Sequence, residues 1–315
     1  MKYNKLGCLE KISQIGFGCW QLGGELQIGA TPVSYGKTDE ALARKAVRHA
    51  FDLGINFFDT ADIYGLGKSE RALEEEIGSN RDKVILCTKA GHVPDGVYGT
   101  IPDYSYHHLI ASCERSLKRL KTDYLDVFLL HCTPPSKELE EPLKALTKLK
   151  NSGKTREFGI SISNRFNLIP ELIPNFPVIE LYYNILLRDF EGYSKAINES
   201  NTGIIAASPL SRGLLSGKDY DSVVFLESDV RSKWKSDPKQ IEWYSAQKLK
   251  VQKLKELESA FGIPLKNLAI SYILSNGVST VIPGIKSPDE ADEIVKSLEF
   301  FPLSLERINK IRTLE

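Results

Sequence analysis

The chain repeats one pattern eight times: a short apolar run, a polar loop and then an amphipathic stretch. This repetition restricts the possible folds more than any other feature of the sequence. The apolar runs have the length and composition of buried strands, and the stretches between them place apolar residues at helical spacing. The predicted strands are residues 15–18, 55–58, 84–88, 127–130, 157–161, 178–182, 203–207 and 280–283. The predicted helices are residues 38–53, 69–78, 106–120, 138–151, 166–173, 190–200, 242–261 and 288–297.

Strands that alternate with helices predict a parallel sheet, because consecutive parallel strands need a crossover connection. Eight such units close into a (β/α)8 TIM barrel, an α/β fold for which 315 residues is an ordinary length. An open doubly wound sheet is the alternative, but "GFGCWQ" has Gln21 where the third glycine of a dinucleotide fingerprint belongs. No linker divides the chain, so we expect one domain over residues 1–315, with a long loop at about 216–240.

The charge balance and the cysteines exclude several classes of protein. Lys+Arg and Asp+Glu both number 41, and this gives no electrostatic footprint for nucleic acid. The N-terminus lacks the apolar core of a signal peptide, and no run is long enough to span a membrane. Five scattered cysteines without a C-x-x-C pair indicate neither disulfides nor a metal site. We therefore expect a cytoplasmic protein; no motif bears on its oligomeric state.

Titratable residues end three consecutive predicted strands. Asp59 follows the second strand, with Tyr64 in the next loop; Lys89 follows the third strand and His131 the fourth. In a barrel these strand ends lie side by side at the face where active sites are built. One such residue alone is more often a structural group, but four on adjacent strand ends favour a catalytic site.

These four residues suit proton transfer to a carbonyl group. A free tyrosine has a pKa of about 10, and a neighbouring lysine cation lowers it by favouring the phenolate. Asp59 can hold Lys89 beside Tyr64, and His131 can donate a hydrogen bond to a carbonyl oxygen. We expect a reduction, which still requires a hydride donor.

The motifs around these residues resemble those of the aldo-keto reductase superfamily, in order and spacing, from residue 15 to about 298. They are "FFDTADIYGLGKSE", "LCTKAG", "DYLDVFLLH", "GKTREFGIS", "SPLSRGLLSGK" and "VIPGIKSP". The resemblance implies an (α/β)8 barrel that reduces aldehydes or ketones with NADPH. It also implies that Tyr64 is the general acid, that Lys89 and Asp59 tune its pKa, and that His131 orients the carbonyl.

The resemblance further implies a set of residues that bind the dinucleotide. Trp20 matches a position at the substrate mouth, although packing in the barrel rim is an equal alternative. In the family, one stretch of chain wraps the pyrophosphate of the dinucleotide. The corresponding residues here are Ser208, Leu210, Arg212, Gly213 and Lys218. The anion site before the last helix, which holds the 2′-phosphate in the family, matches Gly284, Lys286 and Ser287.

Several positions depart from the family pattern. Ile162 follows Ser161 where an asparagine is common, so Asn164 would have to replace the contact to the nicotinamide carboxamide. Glu180 occupies the place of the usual glutamine, and an ionised glutamate cannot donate a hydrogen bond. Three further positions differ. Ala207 stands where the family often has an aromatic residue that stacks on the nicotinamide ring. Glu290 stands where an Arg or Gln often contacts the 2′-phosphate, and Ile294 where an Asn often binds the adenine. NADP(H) is favoured, NAD(H) is possible, and neither metal nor flavin is expected.

Two other functions fit parts of the sequence. A regulatory subunit that senses nicotinamide nucleotide would explain the altered nicotinamide contacts. A barrel glycosidase or lyase would need a carboxylate pair such as Asp59 and Glu180. We expect the substrate to be a small carbonyl compound or sugar, selected by loops 24–37, 91–104 and 216–240. The aromatic residues that either line its cleft or pack at the surface are Tyr98, Tyr104, Trp234, Trp243 and Tyr244.

Overall fold

The structure is a computed structural model that describes residues 1–96, 99–135, 138–162 and 170–314. Eight parallel strands form one sheet in the order in which they follow one another along the chain. They are β1 (Phe17–Gly18), β2 (Phe57–Asp59), β3 (Ile85–Ala90), β4 (Leu125–Leu130), β5 (Thr155–Ile162), β6 (Val178–Tyr182), β7 (Gly203–Ala207) and β8 (Thr280–Ile282). The predicted (β/α)8 barrel is therefore confirmed.

The barrel closes where β1 meets β8. The amide of Gly16 donates to the carbonyl of Val281 at 2.8 Å, and the amide of Gly18 donates to the carbonyl of Pro283 at 2.9 Å. Glycine permits this approach at position 18, because a Cβ there would lie 3.0 Å from the carbonyl oxygen of Ile282. Since all eight strands are parallel, their carboxyl ends share one rim.

Helices connect the strands around the outside of the barrel. In the described part of the chain the α-helices are α1 (Glu40–Asp52), α2 (Lys68–Ile77), α3 (Tyr106–Arg119), α4 (Glu140–Asn151), α5 (Ser194–Glu199), α6 (Pro238–Phe261), α7 (Leu265–Ser275), α8 (Pro288–Val295) and α9 (Leu305–Arg312). No helix among these described residues combines the length and the apolar content that a membrane span requires.

Helix α1 shows how local sequence positions these helices. The side chain of Asp39 accepts a hydrogen bond from the amide of Leu42 at 2.9 Å and so begins the helix. The residues that α1 buries recur every three or four positions and face the sheet: Ala43, Ala46, Val47 and Ala50.

The connection between β7 and β8 contains two helices where the sequence predicts one. The predicted helix corresponds to α6, which begins at Pro238 and has mostly exposed or half-buried side chains. Helix α7, which packs against β8, was not predicted. Since α7 is buried almost all round, it lacks the alternation of polar and apolar faces on which the helix prediction depends.

Two other helix predictions differ in extent. Residues 166–169 of the predicted fifth helix lie outside the described residues, and the segment that follows is a 3₁₀ turn, Pro170–Asn175. The predicted helix at 190–200 is a 3₁₀ turn, Asp189–Tyr193, followed by the short helix α5.

The amino end of the barrel is closed by an N-terminal hairpin that the sequence did not predict. The hairpin pairs Tyr3–Leu6 with Leu9–Ser13 in antiparallel fashion. Its side chains Leu6, Leu9 and Ile12 are at most 1% exposed and pack against apolar residues of the barrel interior. This end is therefore filled, and the opposite rim is where a site can open.

The long loop at 216–240 is folded against α6. Its 3₁₀ turn, Val230–Lys235, buries Trp234, whose ring stacks on Tyr244 with centroids 5.2 Å apart. The amide of Val230 donates to the carbonyl of Ser34 at 3.0 Å, which joins this loop to the one after β1. The loop therefore forms one wall of the rim.

Candidate active site

Asp59 and Lys89 form a buried ion pair at the carboxyl rim of the barrel. Lys89 Nζ lies 2.6 Å from Asp59 Oδ1 and donates to the carbonyl of Thr60 at 3.0 Å. Both side chains are almost fully buried. Burial alone would lower the pKa of the Lys89 ammonium, but the carboxylates of Asp59 and Glu180 raise it well above its ordinary value. Lys89 is therefore a fixed positive charge.

Tyr64 and His131 lie beside this ion pair. Lys89 Nζ is 5.2 Å from the centre of the Tyr64 ring, and the rings of Tyr64 and His131 meet edge to face with centroids 5.6 Å apart. Together with Asp59 they line a cavity of about 110 Å³. The barrel thus brings together the four residues predicted as catalytic.

Tyr64 is a neutral phenol in this environment. Burial raises the pKa of the phenol well above its ordinary value; the Lys89 ammonium opposes that rise, and the carboxylates of Asp59 and Glu180 add to it. The sequence predicts that Lys89 lowers the pKa, and this direction is correct for the lysine alone. In the folded site burial outweighs it, so the tyrosine holds its proton.

His131 is a neutral imidazole. Burial, followed by the charge of Lys89 and by His92, lowers its pKa well below the ordinary value. Its Nδ1 atom is buried and has no hydrogen-bond partner in the described part of the chain. A neutral imidazole can donate one hydrogen bond without adding charge to the cavity.

Ser161 and Glu180 bond to each other at the floor of the cavity. The hydroxyl of Ser161 donates to Glu180 Oε1 at 2.8 Å, and Glu180 Oε2 lies 3.4 Å from Lys89 Nζ. Ile162 is buried beside Ser161, and Asn164 lies outside the described residues. Ala207 borders the same cavity without a ring.

Trp20 forms the opposite wall of the cavity. Its ring centroid lies 6.1 Å from that of Tyr64 and 4.5 Å from that of Tyr35, and its Nε1 donates to the carbonyl of Val33 at 3.2 Å. Tyr35 was not predicted as a site residue. No local sequence signal identifies it, because only the packing of the loop after β1 brings it to the rim.

A second cavity of about 420 Å³ adjoins the first. The residues that line both cavities are Gln21, Tyr35, Ser208, Arg212 and Gly284. The larger cavity carries more cations than acids. Its cations are Lys37, Arg212, Lys218, Arg231, Lys266 and Lys286, and its acids are Asp229 and Glu290.

Some of these cations are already paired. Arg231 Nη2 lies 2.6 Å from Asp229 Oδ2, and Lys266 pairs with Glu293. The structure gives no ion pair to Lys37, Arg212 or Lys286 among the described residues. The larger cavity therefore has uncompensated positive charge, as a site for an anion requires. Arg231 was also missed by the sequence analysis.

The segment after β7 forms the floor between the two cavities. Ser208 and Arg212 have left-handed backbone, with φ of 52° and 55°, and Gly213 has φ of 102°. A Cβ on Gly213 would lie 2.3 Å from the hydroxyl of Tyr220. Leu210, also predicted, lines the larger cavity. Left-handed conformations strain residues other than glycine, and such strain is concentrated at functional sites.

The remaining predicted residues lie at the start of α8. Ser287 caps the helix, since its hydroxyl accepts from the amide of Glu290 at 3.2 Å. Glu290 Oε2 accepts from the amide of Lys286 at 2.9 Å, and Oε1 lies 3.6 Å from Lys218 Nζ. The carboxylate of Glu290 therefore already interacts with the amide of Lys286 and the ammonium of Lys218, two groups that could otherwise bind a phosphate here.

Contacts in the structure show the surroundings of the aromatic residues that the sequence predicts either to line a cleft or to pack at the surface. Trp234, Trp243 and Tyr244 belong to an apolar cluster beneath the long loop, so packing is the correct interpretation. The hydroxyl of Tyr104 donates to Glu138 Oε2 at 2.5 Å. Tyr98 lies outside the described residues.

Asp62 is a carboxyl group held in the loop that carries Tyr64. Its amide donates to the carbonyl of Lys89 at 3.0 Å, and its Oδ1 is buried with no partner among the residues described. Burial, followed by the charge of Glu70, raises the pKa of Asp62 to about 7; Arg119 opposes the rise. Glu70 is itself buried and pairs with Arg119.

We expect Asp62→Asn to stabilise the protein at alkaline pH. Because the folded state binds the Asp62 proton more tightly than the unfolded chain, this group lowers stability as pH rises from about 4 to about 7. The advantage of the variant in free energy of unfolding should grow by roughly 1–3 kcal/mol between pH 5 and pH 8. Urea unfolding of both proteins at the two pH values measures it, and parallel pH slopes would contradict the expectation.

Comparison with known proteins adds to this geometry. The family model described as "Aldo/keto reductase family" matches residues 14–315. YqkF of Bacillus subtilis strain 168, named as an uncharacterized oxidoreductase, is 29% identical over 318 residues, which cover 99% of this chain and 96% of that protein. The L-glyceraldehyde 3-phosphate reductase of Escherichia coli strain K12 is 32% identical over 290 residues, which cover 85% of this chain and 82% of that protein.

A solved structure leads to the same family. The aldo-keto reductase AKR11C1 from Bacillus halodurans, in its holo form, is 30% identical and superposes with a TM-score of 0.79, covering 100% of this chain and 96% of that one. The match covers the barrel, the rim and the segment after β7. With a family model that spans nearly the whole sequence, this chain belongs to the aldo/keto reductase family.

Proposed function

We propose that this protein is an oxidoreductase that interconverts an aldehyde, ketone or sugar with its alcohol, using NADP(H) in preference to NAD(H). One observation carries the proposal: the buried Asp59–Lys89 pair lies beside Tyr64 and His131, and the cavity that Asp59, Tyr64 and His131 line adjoins a larger, positively charged one. Proton-transfer groups and an anion site are thus contiguous, as reduction by a dinucleotide requires.

The larger cavity has the charge and the contacts to hold a dinucleotide. Arg212 and Lys286 are uncompensated cations suited to its phosphates, and the floor at Ser208–Gly213 brings backbone close to the cavity. Ser161 and Glu180 border the small cavity and would contact the nicotinamide carboxamide. Bound there, the reduced nicotinamide supplies the hydride.

Tyr64 acts as the general acid. Its neutral phenol donates a proton to the carbonyl oxygen as negative charge develops on that oxygen. The Lys89 ammonium stabilises the phenolate that remains, and Asp59 fixes the ammonium at 2.6 Å.

His131 orients the substrate. As a neutral imidazole it can donate a hydrogen bond to the same carbonyl oxygen and hold it near the phenol of Tyr64. Trp20, across the cavity, offers an apolar surface to the substrate carbon chain.

Nicotinamide absorbance measured with a panel of substrates tests the proposal. Since one relative is named as an L-glyceraldehyde 3-phosphate reductase, the panel should include short phosphorylated and hydroxylated aldehydes beside simple ketones and sugars. Turnover of any member with NADPH supports the proposal. Micromolar binding of NADPH without turnover of any substrate would overturn it and favour a nucleotide-sensing subunit.

The start of α8 supplies a prediction about cofactor preference. Lys286→Met should weaken NADPH binding about tenfold, because it removes a cation from the proposed phosphate site. Glu290→Gln keeps the side-chain shape but removes a negative charge, so NADPH should bind about three- to tenfold more tightly. Quenching of tryptophan fluorescence measures both dissociation constants.

NADH provides the matched control for these two variants. It lacks the 2′-phosphate, so its affinity should change less than about twofold in either protein. Equal changes for NADH and NADPH would show that α8 does not bind the phosphate.

A further inference from the structure

Two carboxyl groups share one ammonium at the floor of the small cavity. Lys89 Nζ lies 2.6 Å from Asp59 Oδ1 and 3.4 Å from Glu180 Oε2. The three residues are at most 3% exposed. If both acids were ionised, this cluster would carry a net negative charge away from water, which is unfavourable.

The hydrogen bonds of the two carboxyl groups are incomplete. Glu180 Oε1 accepts from Ser161, and Asp59 Oδ1 accepts from Lys89. Asp59 Oδ2 and Glu180 Oε2 are buried, and neither has a hydrogen-bond donor within the part of the chain that the structure describes. One oxygen of each carboxyl group lies within 4.8 Å of the other. A proton held between the two carboxyl groups would supply the missing donor and remove the excess charge.

The other groups around Glu180 add no second positive charge that would balance two ionised carboxylates. Cys87, on β3, is a buried thiol whose pKa burial raises well above its ordinary value, so it stays neutral. Tyr64 and Tyr182 are phenols, and Ile205 and Ala207 on β7 carry no charge. Burial, followed by the charge of Asp59, raises the pKa of Glu180 to about 8, while Lys89 and the hydroxyl of Ser161 oppose the rise.

We infer that Glu180 holds a proton that it shares with Asp59, and that this proton keeps the cluster neutral while Tyr64 donates its own proton to the carbonyl oxygen. Glu180 is thus a positioning residue that acts through Asp59 and Lys89. Loss of its proton places a further negative charge near Tyr64, which makes the phenol harder to ionise and slows reduction. The effect on reduction depends on the proposed function, whereas the shared proton does not.

The pH profile of reduction tests the role of Glu180. We expect kcat of the unaltered protein to fall about tenfold between pH 7 and pH 9.5, because the added negative charge raises the pKa of Tyr64 further and makes the phenol a weaker acid. In Glu180→Gln, which is neutral and of the same shape, kcat should change less than about twofold over that range. Ser161→Ala removes a hydrogen bond to the ionised carboxylate, so its midpoint should move to higher pH.

Glu157→Gln is the matched control, since Glu157 is equally buried but lies at the amino end of the barrel, where it pairs with Lys150 and accepts from the amide of Cys8 in the N-terminal hairpin. Its profile should keep the alkaline decline. The same decline in Glu180→Gln as in the unaltered protein would overturn the inference. Circular dichroism checks that each variant is folded.

Infrared spectroscopy detects the proton without any turnover. The spectrum of the unaltered protein minus that of Glu180→Gln should contain the carbonyl band of a protonated carboxylic acid at pH 6.5, and this Glu180-dependent band should disappear on titration through about pH 8. Asp62, whose pKa is about 7, is present in both proteins, so its band cancels in the difference. Absence of a Glu180-dependent band would overturn the inference. The band without reductase activity on any substrate would uphold the shared proton and reject the proposed function.

Discussion

Tyr64→Phe is expected to lower kcat of carbonyl reduction about 10³-fold, because it removes the group that protonates the carbonyl oxygen. The hydroxyl is the only atom lost, so the cavity wall formed with Trp20 and His131 keeps its shape. NADPH affinity should remain within about threefold of the original, since the proposed cofactor contacts lie elsewhere. Steady-state kinetics with the best substrate of the panel, together with a fluorescence titration, separates the two effects.

Tyr106→Phe is the control for this substitution. Tyr106 begins α3, outside both cavities, and the same atom is removed there. Its activity should equal that of the unaltered protein. A Tyr64→Phe variant as active as Tyr106→Phe would exclude Tyr64 as the general acid.

Lys89→Met is expected to have the largest effect on stability, lowering the free energy of unfolding by about 3–5 kcal/mol. The substitution leaves Asp59 and Glu180 buried without their shared cation. It should also abolish reduction, because no positive charge remains to stabilise the phenolate of Tyr64.

Urea unfolding measures this effect against an exposed ion pair. Lys5 lies 2.8 Å from Glu10, and both side chains are more than 70% exposed. Lys5→Met should change the free energy of unfolding by less than about 1 kcal/mol, because water screens such a pair. A loss in Lys89→Met no larger than that in Lys5→Met would contradict the expectation that the buried ion pair stabilises the protein.

The fold was predictable where the sequence pattern is local. All eight strands appear because short apolar runs bounded by polar loops mark buried parallel strands. Helix α1 was equally clear, since its apolar residues recur with helical spacing. Helix α7 was missed because it is buried almost all round, and the N-terminal hairpin was missed because only the barrel explains its apolar residues.

The candidate site likewise contains residues that the sequence predicts and residues that only the folded structure reveals. The strand-end residues Asp59, Lys89 and His131 were found because position along a strand determines which rim a side chain reaches. Tyr35 and Arg231 were not found, since they come from two loops far apart in sequence that meet only in the folded chain. The role of Glu290 also needed the structure, which shows its carboxylate bonded to the amide of Lys286.

The sequence by itself determined the order of the strands and helices and the chemical types available at the rim, because periodicity and residue identity are properties of neighbours along the chain. Only the tertiary structure decided which charges are paired and which are buried. Burial and the charge of Asp59 raise the pKa of Glu180, while Lys89 opposes the rise, and these surroundings come from three different strands.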